Sequence, residues 1–278
     1  MKIIKHSGNI VDFSRNKLRD SLLKSGATHE VAENVLQTIE TKIYEGISTK
    51  KIYKLAFALL KSVSGSHAAR YNLRSGLQQL GPAGFFFEKF VARLFAEENY
   101  ETRTNLILQG KCVSHEIDVM TKKDHIISMM ECKFHMGSES NSDVKVPLYI
   151  LSRFNDLRGM RHAVFSSKDA ISGCRIVTNN RFTADAITFA TCSGLELLSW
   201  DYPKNDNLRT KIDSNHLYPV TCLTTLSQVE KEKLLILNIL LAKDLINNNE
   251  VLSKTGLSSN RIKNILKEVS QLCNYLYK

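Results

Sequence analysis

The segment HEIDVMTKKDHIISMMECKFH, residues 115–135, constrains the fold more than any other stretch of the chain. It predicts two strands, over 113–120 and 126–133, that are apolar on both faces except at a few positions. Such strands suit the interior of a sheet, where neither face meets water. Side chains alternate along a strand, so Glu131 and Lys133 share one face while Cys132 points the other way, into the core. Paired as hairpin neighbours, the strands set Asp118 beside Glu131. Two adjacent carboxylates repel, and a divalent cation between them removes that cost. Lys133 is then placed to orient a water for attack on phosphorus and to offset the negative charge that develops. Glu88, on a predicted helix beside Phe85–Phe87, extends the acidic cluster. The same letters also suit solvated charges on an edge hairpin; the apolar neighbours favour the buried cluster.

The rest of the chain frames this segment. At 278 residues it is long enough for two domains, or three small ones, at roughly 150 residues each. An apolar content of 43% with 24% charged residues is that of a globular chain and excludes a disordered one. Lys and Arg number 38 against 28 Asp and Glu, a net charge of +10 that favours a polyanionic partner. The six cysteines, at 112, 132, 174, 192, 222 and 273, include no CxxC pair, which argues against zinc ribbons and redox motifs. The opening MKIIKHSGNIVDFS lacks the apolar core of a signal peptide, and LLILNILLA at 234–242 is too short to span a bilayer. A cytoplasmic location with free thiols and no membrane partner is the expectation.

Punctuation divides the chain into segments 1–80, 84–205 and 206–278. The first opens with short strands at 2–5 and 9–13 around Ser7-Gly8, followed by helices capped by Ser14, Thr28 and Thr49. Gly81-Pro82-Ala83-Gly84 closes it. The second predicts a helix at 85–95, strands at 101–108, 113–120 and 126–133, and a helix at 143–155. Strands at 161–166 and 174–178, a helix at 183–193 and a strand at 195–200 complete it, an α/β (α+β) order with a mixed sheet flanked by helices. The third is helical, at 226–245, 249–255 and 258–275. In it NNNEVLSKTGLSSNRIKNILKEVSQL predicts a helix-turn-helix-like, DNA-positioning element with Arg261, Lys263 and Lys267 on its second helix, although basic residues on a solvated helix face explain the same pattern.

Residues 84–203 resemble a PD-(D/E)xK nuclease domain of the Mrr-type restriction endonuclease group. HEIDV resembles that group's Asp-bearing strand, and ECK stands where the group has Glu/Gln-x-Lys. VTNNRFTADAITFATCSGLELLSW, 177–200, is similar to its later strand–helix–strand. The resemblance implies Asp118 and Glu131 as metal ligands for Mg2+ or Mn2+, Lys133 as the catalytic lysine and Glu88 as the helix glutamate. His115 and Glu116 stand where the group often has small residues, and are read as bystanders.

The first 75 residues resemble an ATP-cone, the nucleotide-sensing module of ribonucleotide reductases and their repressor. The matching residues are Lys5, Gly8, Phe13 and Lys17, then Gly46-Ile47-Ser48-Thr49 with Ile52, then Ala69-Arg70-Tyr71-Asn72-Leu73-Arg74. Lys5 and Lys17 would meet a triphosphate as point charges, Thr49 would donate to a phosphate or base edge, and Gly8 supplies the tight turn. Lys5-His6-Ser7-Gly8 replaces the family's usual Lys-Arg-Asp-Gly. Together these readings predict an Mg-dependent endonuclease acting on double-stranded DNA, regulated by ATP or dATP, and assembled as a homo-oligomer. A nucleotide-responsive DNA-binding regulator with an inactive nuclease fold, and an RNA-directed nuclease, are the alternatives.

Overall fold

The computed structural model describes residues 1–278 except 6, 82–83, 138–139, 167, 249 and 275–278. His6, Pro82 and Ala83 of the motifs above, and Asn249 and Tyr275 at the ends of two predicted helices, therefore lie outside the described residues. The three sequence segments fold as two compact units, Met1–Gly76 with Tyr218–Lys278, and Leu77–Leu217.

The chain begins with a hairpin of β1 (Lys2–Ile4) and β2 (Ile10–Asp12), with Lys2 opposite Asp12. Helices α1 (Arg15–Leu23), α2 (His29–Glu40), α3 (Thr49–Val63) and α4 (Gly65–Tyr71) follow, and α5 (Leu73–Gln78) leads out of the unit. Ser14 and Thr28 cap α1 and α2 as expected, each accepting the N–H three residues on. The cap of α3 is Ser48 and not Thr49. Ser48 is extended and its hydroxyl accepts from the Lys51 N–H at 3.2 Å, so Thr49 becomes the first helical residue. Leu22, Leu36, Ile39 and Leu60 are fully buried and fix these helices around one core.

The second unit opens with α6 (Phe85–Ala96), then β3 (Glu101–Gln109), β4 (Ser114–Lys123), β5 (Ile126–Lys133) and α7 (Lys145–Leu157). A ribbon of β6 (Arg161–His162) and β7 (Asp169–Ala170) precedes β8 (Gly173–Thr178), α8 (Ala184–Cys192), β9 (Glu196–Leu198) and α9 (Leu208–Asn215). The sheet order is β3-β4-β5-β8-β9. The first three strands are antiparallel, whereas β8 and β9 run parallel to β5, which gives the expected mixed sheet with helices around it. The predicted strand at 161–166 shortens to β6 and pairs with β7. The Asp169 carboxylate accepts the N–H groups of Val164, Phe165 and Ser166, which curls those residues into a turn. Ile117, Met120, Met129 and Ile176, all fully buried, form the centre of the sheet's core.

Beyond Leu217 the chain returns to the first unit through a 3-10 turn (Val220–Cys222), α10 (Gln228–Ile236), α11 (Asp244–Asn247), α12 (Glu250–Lys254) and α13 (Ser259–Leu272). The helix predicted over 226–245 stops at Ile236. Asn238 takes a left-handed φ of 61°, and the following residues pair with an earlier segment, Val220 N–H to Leu240 O and Ala242 N–H to Tyr218 O. Backbone pairing there overrides the helical spacing of the apolar run. The returning segment packs closely on the cone helices. Thr221 Oγ1 donates to Gly76 O at 2.7 Å, and a Cβ on Gly76 would lie 2.4 Å from Cys222 Sγ. Gly76→Ala is expected to cost about 1–3 kcal/mol in urea denaturation, part of it recovered by Cys222→Ala. An unchanged midpoint would show that this contact is not tight.

Candidate functional site

The antiparallel register of β4 and β5 pairs Val119 with Met130; continued by one residue, it sets Asp118 opposite Glu131. The Cys132 N–H donates to Asp118 Oδ2 at 2.7 Å, so the backbone of β5 holds the Asp118 carboxylate against that strand. Cys132 itself is buried, and Lys133 shares the Glu131 face, as strand alternation requires. Glu131 is only 5% exposed. Its two oxygens are taken by two cations, Lys133 Nζ at 2.5 Å and Arg153 Nη1 at 2.6 Å. Without them, a carboxylate at that depth would be strongly penalised.

Burial first, then the neighbouring Glu131 charge, raises Asp118 from 3.8 to about 7. The Cys132 N–H and Lys133 oppose that rise, and Glu88 adds to it. Glu88, in the first turn of α6, is likewise raised by burial and by the charges of Glu116 and Glu131. The structure thus brings Glu88, Asp118, Glu131 and Lys133 to one place. Gly84 permits the approach of α6: it caps the helix at a left-handed φ of 85°, and a Cβ there would touch Phe134 and Glu88.

Surrounding residues hold this geometry. Asn105, in β3, has a left-handed φ of 55° and lies between the Thr104–Val119 and Leu106–Ile117 pairs, opposite Asp118. Asn179 fixes the chain leaving β5 by a reciprocal pair with the His135 backbone, both bonds at 2.8 Å. His115, read as a bystander, bonds Asp156 at 2.8 Å, and Asp156 also accepts the Cys112 and Val113 N–H groups. That cluster ties the β3–β4 turn to α7, three residues from Arg153. Arg153 is the residue the sequence reading missed; its Nη2 also donates to Glu116 O. Its one sequence signal is a basic residue flanking the apolar stripe Ile150, Phe154 and Leu157. A cavity of about 500 Å³ opens beside it, lined in part by His115, Tyr149, Ser152 and Asp156.

Among the described residues no group of three or more His, Cys, Asp or Glu is arranged to hold a metal ion. Mg2+ needs less than that, since it commonly takes one or two carboxylates and keeps several waters. Asp118 and Glu131 offer the all-oxygen donors that such an ion takes, with both Glu131 oxygens paired to cations in this structure.

In the first unit, a cavity of about 240 Å³ is lined by Lys5, Lys17 and Thr49 together with Phe13, Tyr53 and Tyr71. The Tyr53 and Tyr71 rings stack at 5.0 Å. Three of the four predicted nucleotide-site residues therefore meet at one pocket. Gly8, with φ 82°, forms the β1–β2 turn outside that lining. Among the described residues no helix is long and apolar enough to cross a membrane.

The raised Asp118 carboxyl sets a pH dependence. The folded chain binds this proton more tightly than the unfolded one, so its stabilising contribution is full below about pH 4 and is lost as pH rises through about 7. With divalent ions chelated, Asp118→Asn is expected to raise the urea midpoint at about pH 8, with a gain that fades toward pH 4. An equal gain at both ends of the range would contradict the charge crowding.

Comparison with known proteins agrees with parts of this picture. Residues 1–73 match the family model of the ATP cone domain, and residues 218–273 that of the AF1548-like C-terminal domain. An uncharacterized protein of Archaeoglobus fulgidus is 32% identical over 183 residues, covering 66% of this chain and 99% of its own length. The crystal structure of AF1548, a protein of unknown function, matches with a TM-score of 0.55 at 30% identity, over 68% of this chain and 98% of that one. The MspJI restriction endonuclease in complex with a 27-mer oligonucleotide matches with a TM-score of 0.33 at 12% identity, over 48% of this chain and 29% of that one. With a relative 32% identical whose length it spans almost in full, the chain belongs to the AF1548-like family and begins with an ATP cone domain.

Proposed function

We propose that the chain is a metal-dependent endonuclease that hydrolyses DNA phosphodiester bonds and is regulated by ATP or dATP bound at the cone. The Mrr-type kinship of residues 84–203 is part of this reading. The observation that carries it is the crowding of Glu88, Asp118 and Glu131 at one seam, with Lys133 on the same face. A solvated edge hairpin would not bury Glu131 or raise Asp118 and Glu88.

Asp118 and Glu131 would hold Mg2+ or Mn2+, which when bound supplies Lewis acidity toward a phosphoryl oxygen and acidifies a water. Lys133, whose side chain is 33% exposed, is the more accessible of the two cations on Glu131, and it would orient the attacking water. Its charge also offsets the negative charge that grows as water adds to phosphorus and the ester P–O bond breaks. Arg153, at 11% exposed, stays with Glu131 and fixes the carboxylate's orientation. Lys5 and Lys17 at the cone pocket suit the phosphates of a nucleotide, and the tyrosine pair offers an aromatic wall for its base.

Two measurements test this. Incubated with supercoiled plasmid and Mg2+, the protein is expected to nick or linearise DNA, and Lys133→Ala to slow this about a hundredfold or more. Undiminished cleavage by Lys133→Ala would remove the assigned site, and no cleavage with or without nucleotide would leave the regulator reading in its place. By calorimetry, ATP or dATP is expected to bind, with affinity falling roughly tenfold in Lys17→Ala for the loss of one charge-assisted phosphate contact. Absence of binding would remove the regulatory half of the proposal.

A further inference from the structure

The end of the chain presents a surface that the nuclease chemistry does not use. Helix α12 ends at Lys254, a turn with Gly256 at φ 81° follows, and Ser258 starts α13 in extended geometry. One side of α13 is anchored through buried Ile265, Leu266, Val269 and Leu272. Two polar residues fasten it further. Buried Glu268 accepts the N–H groups of Thr224 and Thr225 at 2.8 and 3.0 Å. Arg261 donates to Thr225 O at 2.9 Å and to Glu230 Oε2 at 3.0 Å. Arg261, grouped in the sequence with the DNA-positioning lysines, is therefore spent on holding the helix.

The opposite side is exposed and carries Asn260, Lys263, Asn264, Lys267 and Gln271. These positions fall at helical intervals of three and four, so they form one stripe along the axis. A solvated helix face ordinarily mixes acids with bases in pairs one turn apart. This stripe has amides and lysines and no acid. Asn and Gln each offer a donor and an acceptor side by side, the pattern that matches an adenine edge, while Lys suits guanine edges or phosphate. Exposed Lys254, Ser258 and Ser259 flank the entry to the helix, where groups that touch a nucleic-acid backbone belong.

We propose that α13 is a base-reading helix that enters the major groove of double-stranded DNA through Asn260, Lys263, Asn264 and Lys267. Lys254, Lys263 and Lys267 meet phosphates, and Asn260 and Asn264 read base edges. A single α-helix fits that groove, and the positive stripe complements its potential. The choice of DNA as partner rests on the endonuclease reading above; the recognition chemistry does not. It gives the chain a sequence preference separate from its cleavage site.

The test is fluorescence anisotropy of the full chain on short random-sequence duplexes with divalent ions chelated, so that no cleavage step enters. The expected result is duplex binding that the double variant Lys263→Ala/Lys267→Ala weakens by about tenfold or more, with a salt dependence reduced by about two ion equivalents. Asn264→Ala should keep the salt dependence and flatten the base preference found by selecting bound sequences from the random pool. Circular dichroism checks that these surface variants remain folded. Parent protein that binds no duplex, a double variant that binds as the parent does, or tighter binding to single-stranded RNA would each overturn the proposal. Lysine-dependent duplex binding by a chain that never cleaves plasmid would sustain it while the endonuclease reading fails.

Discussion

Glu131 sits between two cations inside a sheet, and much of the central unit is arranged to keep it there. A carboxylate buried to 5% exposure is tolerable only if its charge is answered on both oxygens, and Lys133 and Arg153 do this from two different elements. One partner comes from the same strand two residues on and the other from α7. The hairpin that carries Glu131 must therefore stay in register with β4, and α7 must stay at a fixed distance from the sheet. The Asp156 cluster secures α7 to the β3–β4 turn, and Asn179 secures the exit of β5. Asp118 is the member left under-compensated, which is why it is the one raised to about 7.

Two cations on one carboxylate also divide labour. Arg153 is the more deeply buried and has a second bond, to the Glu116 carbonyl, that keeps it in place. Lys133 is more open to solvent and has only a flexible stem to reposition. The arrangement therefore holds the Glu131 carboxylate from two separate elements. In the proposed reaction, positioning falls to Arg153 and chemistry to Lys133.

Much of this was legible in the sequence because the rules involved are local. Strand alternation placed Glu131 and Lys133 on one face and Cys132 on the other, and hairpin pairing placed Asp118 beside them. Ser14 and Thr28 announced their helices. Arg153 was not legible, because its partner lies 22 residues away and nothing in helical spacing says that α7 crosses β5 at that point. Ser48 and Thr49 are both good caps, and only the backbone geometry decides between them. The apolar run 234–242 fits a helix by spacing alone, and long-range backbone pairing with Tyr218 and Val220 breaks it. The amide-and-lysine stripe of α13 was hidden for a related reason, since Arg261 looks like part of it until its bonds to Glu230 and Thr225 are seen.

The first unit is assembled from both ends of the chain, with the Gly76–Thr221 bond and the packing of Arg70 Nη2 on the Leu272 carbonyl among its closures. This sets an order of events during synthesis. Residues 77–217 are a continuous stretch, whereas the surroundings of the cone helices are finished only after residues 218–272 have been made. A chain interrupted before residue 218 would keep the carboxylate cluster and the residues that line the cone pocket, and would lose the hydrogen bonds that Thr221 and Leu272 make to Gly76 and Arg70. The unit that holds the start of the chain is the last to close, so the loss of residues after 217 is felt in the packing of helices some two hundred positions earlier in sequence.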